Sequence, residues 1–252
     1  MKLSSLLLWA PRLVAGARRY TMPRGFDARK VLRPEAFGSH ERVGGRRPVQ
    51  ELLEELRSLA SGVREGLGAG HSVAVCSASH GEGRSLVAAN LAVVLAHDLQ
   101  REVVLLDLDL RNPSQHELFE LPVGPGFAEA GDGSKVDALL QATPYPWLRV
   151  LTAGSACHDP VPLLHDGRLA RILERLAARD ALVVIDTPPV CAHVDARLVG
   201  ESVDGVVMVV RLGRTRRAQL ATAYRSLSNA RILGASCNFG EDWIPGWLER
   251  FL

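Results

Sequence analysis

From His71 onward the chain alternates short runs that are apolar on both faces with longer stretches of helical periodicity, and this alternation restricts it to one kind of architecture. The strand candidates are "HSVAVCSA", "EVVLLDLD", "LRVLTAG", "ALVVIDTP", "GVVMVVRL" and "RILGASCN". Several carry no polar face, as strands buried on both sides require. Between them lie the helical stretches "SLVAANLAVVLAHDL", "PLLHDGRLARILERLAAR", "VDARLVGES" and "RRAQLATAYRSLSNA". Upstream, "PVQELLEELRSLASGVREGL" opens with Pro48 and sets Leu52, Leu53, Leu56, Leu59 and Val63 at helical spacing. Strand and helix in turn predict an α/β fold with a doubly wound, mostly parallel sheet and right-handed crossovers. Ligands of such sheets bind at the C-terminal ends of the strands.

The 252 residues, 47% of them hydrophobic, suffice for one such domain plus extensions. The expected boundaries are a basic, flexible N-terminal extension over 1–47, a nucleotide-binding domain over 48–240, and an amphipathic tail over 241–252. Charge is unevenly spread: residues 1–47 balance to +8 and residues 48–252 to −6. The basic arm reads either as a solvated extension or as a segment that lies against anionic lipid or an acidic partner. Arg12 interrupts the apolar run "LSSLLLWAP", which argues against a signal peptide, and Met22 is an alternative start. No apolar run reaches spanning length. Cys76, Cys157, Cys191 and Cys237 show no paired spacing, and the histidines form no ligand motif, so neither a zinc site nor a disulfide framework is expected and a reducing cytoplasm fits. Nothing in the chain points to nucleic acid.

Chemistry concentrates at three strand ends. The loop "SHGEGRSL" lies between the first strand and the helix starting near Arg84, and Gly81 and Gly83 let successive backbone N–H groups turn toward phosphate oxygens. As a string it departs from G-x-x-x-x-G-K-[ST], with Ala78 in place of the first glycine and Arg84 in place of the lysine. An ordinary glycine-containing turn is the alternative. Asp107 and Asp109 end the second strand on one face, and Asp186 ends "LVVIDTPP". Carboxylates at strand ends beside the Ser85 hydroxyl are hard oxygen donors of the kind a magnesium nucleotide needs.

In order and spacing, "SASHGEGRSLVAANLAVVLA", "REVVLLDLDLRNPSQHELFEL", "LTAG", "LVVIDTPPV", "SVDGVVMVVRLGRTRRAQL" and "ILGASCN" resemble the cytoplasmic P-loop domain of the bacterial protein-tyrosine kinases that govern capsular and exopolysaccharide export. The likeness covers roughly 46–238. It implies a P-loop NTPase fold, ATP or ADP with Mg2+ as cofactors, and ATP-dependent tyrosine kinase activity. By that resemblance Gly81, Glu82, Gly83, Arg84, Ser85, Leu86 and Asn238 bind nucleotide, with Asn238 at the adenine. Ser85, Asp107 and Asp186 hold magnesium, and Arg84, Asp107 and Asp109 serve catalysis. The implied partner is a membrane-embedded chain-length or export protein at the inner face of the plasma membrane, with self-association. A nucleotide-sensing module without transfer is the alternative. A partitioning-type ATPase is disfavoured, because Ser79 stands where those proteins have a second lysine.

Three departures qualify the likeness. The family's C-terminal tyrosine cluster is absent, the tyrosines being Tyr20, Tyr145 and Tyr224. The oligomer-forming E-x-x-R-x-x-R element appears as Glu51, Glu54 and Arg57, with its middle charge reversed. Arg84 replaces the loop lysine, in a chain whose only lysines are Lys2, Lys30 and Lys135. A positive charge near a phosphate is worth about 4 kcal/mol at roughly 4 Å and an effective dielectric of about 20. Arginine keeps that attraction, so nucleotide binding should survive. The planar guanidinium is bulkier and demands forked geometry, and a misplacement of about 1 Å can cost on the order of a hundredfold in rate. Phosphate transfer should suffer. In the tail, Trp243, Trp247 and Phe251 recur every four residues, a stripe for packing on the domain or for docking on a membrane or partner.

Overall fold

The computed structural model describes residues 42–43, 47–155 and 157–238, so the expectations for the basic extension over 1–47, save 42–43 and 47, and for the aromatic tail over 241–252 lie outside the described residues. Seven strands form one sheet: β1 Ser72–Ser77, β2 Val103–Asp107, β3 Gln141–Ala142, β4 Leu148–Leu151, β5 Leu182–Asp186, β6 Gly205–Arg211 and β7 Ile232–Asn238. Their order is β3-β4-β2-β5-β1-β6-β7. Every neighbouring pair is parallel except β3 with β4. The six strands read from the sequence recur with ends shifted by only a few residues. The two-residue β3 is too short to leave a periodic signal. Arg42–Val43 and Arg47–Pro48 form a small antiparallel pair apart from the sheet.

The alternation of side chains along each strand divides the core into two layers. Val73 and Val75 of β1, Leu105 of β2 and Val207 of β6 face helices α1 (Val49–Leu67) and α2 (Arg84–Leu99). Leu53, Leu56 and Val63 of α1 close over α2, which is buried at every position from Leu86 to Ala96. At roughly 1.5–3 kcal/mol per large apolar side chain removed from water, this layer fixes α2, and with it the loop that precedes it. Arg57 on α1 adds a polar clamp, donating to Asp98 on α2 at 3.1 Å and to Glu54 at 3.1 Å.

On the other face Ala74, Cys76, Leu106, Ile185 and Met208 meet the remaining helices. They follow the short α3 Gln115–Leu118, whose Leu118 packs on the α2 side, and are α4 Val136–Leu139, α5 Val161–His165, α6 Arg168–Ala177, α7 Asp195–Glu201 and α8 Arg217–Ser226. Leu169, Ile172 and Leu176 of α6 supply much of that layer. The single helix expected over 162–179 is two helices. Gly167 at φ 82° breaks it, and an Asp166 carboxylate oxygen accepts the Arg168 N–H at 2.9 Å, starting a new turn. Among the described residues no helix is long and apolar enough to cross a membrane.

The strand order sets β2, β5 and β1 side by side. Asp107 and Asp186 are direct Cα partners at the ends of β2 and β5. Their carboxylates therefore meet the loop leaving β1.

Candidate functional site

β1 ends at Ser77 and α2 begins at Arg84, leaving a tight connection. Gly81 at φ 74° and Gly83 at φ 85° occupy the left-handed region that a Cβ disfavours. Gly83 is the N-cap of α2 and offers no side-chain acceptor. The first-turn N–H groups of a buried, sixteen-residue helix thus point into the loop mouth, where an anion would be stabilised. A cavity of about 510 Å³ opens there, lined by the loop from His80 to Leu86 and by Ser114, Glu117 and Leu118.

The loop is tied from behind. The Glu82 carboxylate is buried, accepts the Ser79 N–H at 3.0 Å, and pairs with the Thr215 hydroxyl in the turn after β6. The Glu82 carbonyl accepts from Asn238 Nδ2 at 2.9 Å, and Arg211 Nη1 donates to the Gly81 carbonyl at 2.8 Å. Glu82 and Asn238 therefore lie where they shape the loop through its backbone.

Arg84 does not extend along the loop. Its guanidinium, 8% exposed, folds back to the strand ends, where Nη2 donates to Asp109 Oδ2 at 2.7 Å and Nε to Asp186 Oδ1 at 2.9 Å. Nη1 reaches the Ser77 hydroxyl at 3.3 Å. Burial works against this cation, and the charges of Asp186 and Asp109 outweigh it, so the guanidinium is held protonated. The remaining carboxylate oxygens are also engaged. Asp107 Oδ2 accepts the N–H groups of Ser114 and Gln115, each at 2.9 Å, and its Oδ1 accepts the Asp109 N–H at 3.2 Å. Asp186 Oδ2 accepts from Gln115 Nε2 at 2.8 Å, which also donates to the Ser85 carbonyl at 3.0 Å. Asp109 Oδ1 accepts the Asn112 N–H at 3.2 Å.

Burial and the neighbouring Asp186 charge push the Asp107 carboxyl up to about 8, against the opposing pull of the Gln115 and Ser114 N–H groups. Burial also raises Asp109, although Arg84 pulls it the other way. Beneath the cluster, burial pushes the Cys76 thiol up to about 11.

The donor types at this end of the sheet are those magnesium prefers, but their arrangement is not. Each oxygen of Asp186 accepts a hydrogen bond, Asp107 is turned to three backbone donors, and a guanidinium sits against Asp186 and Asp109. Among the described residues no group of three or more His, Cys, Asp or Glu is disposed to hold a metal ion. As arranged, these carboxylates hold an arginine and do not fit a magnesium ion.

Of the residues expected from the sequence, Gly81, Gly83, Arg84, Ser85 and Leu86 line the cavity, Asp107, Asp109 and Asp186 form the cluster beside it, and Glu82 and Asn238 meet behind the loop. Sequence reasoning missed Gln115, fully buried and bridging Ser85 to Asp186, and Ser77 and Thr215. Gln115 follows Asp107 by eight residues in the turn "LRNPSQ" and carries no periodic or motif signal.

No family model matches the chain. Tyrosine-protein kinase YwqD of Bacillus subtilis is 36% identical over 170 residues, covering 66% of this chain and 71% of that protein. Tyrosine-protein kinase etk of Escherichia coli is 28% identical over 196 residues, 76% of this chain but only 27% of that protein. The solved kinase domain of the Escherichia coli enzyme superposes with a TM-score of 0.75 at 25% identity, covering 90% of this chain and 91% of the domain. The septum site-determining protein MinD of Pyrococcus horikoshii, solved with Mg-ADP, shares the fold at 18% identity with a TM-score of 0.59, covering 72% of this chain and 77% of its own.

Proposed function

The chain belongs to the bacterial tyrosine-protein kinase family, and from that premise we propose that it binds an adenine nucleotide at the loop 81–86 and acts in phosphorylation-linked control of capsule or exopolysaccharide synthesis and export. The observation that carries the reading is the buried α2 N-terminus opening onto the cavity beside Asp107, Asp109 and Asp186. In it the N–H groups of the loop and first turn hold the phosphates, Ser85 contributes its hydroxyl, and the apolar wall at Leu86 and Leu118 closes one side of the cavity. Asp107 or Asp109 takes the proton of an attacking tyrosine hydroxyl. Asn238 acts at the adenine side by fixing the loop. Of the described tyrosines, Tyr224 is buried and Tyr145 packs edge-on against Phe119, and the acceptor is proposed to be a tyrosine of another protein. A membrane-embedded chain-length or export protein is the proposed partner.

A second reading, a nucleotide-sensing regulator without transfer, is favoured by one observation: the Arg84 guanidinium is committed to Asp109 and Asp186. In phosphoryl transfer catalysis is nearly all positioning and electrostatics. A cation held at the strand ends does not stabilise the transferring phosphoryl group, and by favouring the ionised form of Asp109 it weakens that carboxylate as a proton acceptor. The test is phosphate transfer from labelled ATP to a tyrosine-containing acceptor by the native protein, Arg84→Lys and Asp107→Ala. Transfer by the native protein that disappears in Asp107→Ala supports the kinase reading. Nucleotide binding without transfer, with transfer gained in Arg84→Lys, supports the regulator and removes the first.

A further inference from the structure

We infer that Arg84 takes the place of the divalent cation in this chain, so that the carboxylate cluster excludes metal and the site holds its nucleotide without one. The inference rests on the nucleotide-binding reading above and deepens it. Its basis is the bonding of each carboxylate oxygen. A magnesium ion needs carboxylate lone pairs aimed at one point and keeps near-octahedral geometry. Here Asp186 spends one oxygen on Arg84 Nε and the other on Gln115 Nε2, and Asp109 spends one on Arg84 Nη2 and the other on the Asn112 N–H. Asp107 is turned to the backbone N–H groups of Asp109, Ser114 and Gln115.

The arginine is suited to the place. Its planar fork reaches two carboxylates at once, and it stays protonated when buried. Lysine has one nitrogen on a flexible stem and cannot span Asp109 and Asp186 with the same pair of bonds. A bound ion could enter only by displacing the guanidinium from two short charge-assisted bonds, at 2.7 and 2.9 Å. The N–H groups at the α2 N-terminus remain available to the phosphates while Arg84 stays on the carboxylates.

The experiment measures ADP affinity of the full chain by titration calorimetry, in excess magnesium and in EDTA, for the native protein and Arg84→Lys. Manganese binding to the nucleotide-free proteins is followed by electron paramagnetic resonance. The native protein should change its ADP affinity by less than about threefold between the two media, whereas Arg84→Lys should gain about tenfold or more with metal. Manganese should bind Arg84→Lys and not the native protein. A native affinity that rises about tenfold with magnesium overturns the inference and leaves the nucleotide reading standing. Two proteins equally indifferent to metal also overturn it, because Arg84 is then not what excludes the ion. Absence of ADP binding in every medium overturns the nucleotide reading instead, and the manganese signal then decides metal exclusion by itself.

Discussion

Replacing Arg84 with methionine tests the ion-pair cluster through stability, with no nucleotide present. The side chain is nearly as long and apolar, so the perturbation removes the guanidinium and little volume. What it leaves is Asp109 and Asp186 facing each other's surroundings at 3% and 0% side-chain exposure with their cation gone. Breaking a buried pair by removing one partner costs about 3–5 kcal/mol. At roughly 2–4 °C per kcal/mol for a domain of this size, Arg84→Met should melt about 6–20 °C below the native protein at pH 8. The stranded Asp109 can escape part of the cost by taking up a proton. With the downward pull of Arg84 gone its pKa in the folded variant stands above that in the native fold, and the loss shrinks as pH falls. Melting of both proteins at pH 8 and pH 5.5 in EDTA reads the difference directly. Adding Asp109→Asn to Arg84→Met should recover part of the loss, since the two residues are in contact and their effects do not add. A loss below about 2 °C, or one independent of pH, would mean that the guanidinium does not lie between the carboxylates.

The native protein has its own pH signature. Asp107 stands at about 8 in the fold, and its unfolded value is near 4. The stability it contributes is complete below the unfolded value and is lost as pH rises through about 8. Asp109 is raised as well and adds the same sign. Urea unfolding in EDTA should therefore show stability declining from pH 5 to pH 8, and a flat or rising profile would refute the assignment. Gln115→Ala removes the bridge from Ser85 to Asp186 and should cost about 1–3 kcal/mol in the same assay. Gly83→Ala forces a Cβ into φ 85° at the head of α2, so thermal melting should show a loss of roughly 1–2 kcal/mol, and ADP titration a weakened affinity.

The sheet was legible because burial on both faces leaves its mark strand by strand: "VAVC", "VVLL", "LVVI" and "GVVMVV" have no solvated side to hide the pattern. The break at Gly167 was less legible, since a lone glycine inside a helix-forming run is tolerated and only the backbone angle reveals the turn. The loop and its aspartates were placed together by strand order, which a doubly wound sheet imposes on strand ends. The direction of Arg84 was not legible. From the loop outward it reads as a phosphate ligand, and its partners Asp109 and Asp186 lie 25 and 102 residues away. Gln115 escaped notice for a similar reason, since its meaning depends on two atoms contributed by α2 and β5.

Titration of ADP into the purified, nucleotide-free chain tests most directly whether the loop at the head of α2 is a phosphate site. Saturable binding at one site per chain, weakened in Gly83→Ala, is the expected result. Absence of saturable binding by the native protein up to about 1 mM ADP, in magnesium and in EDTA alike, would contradict it.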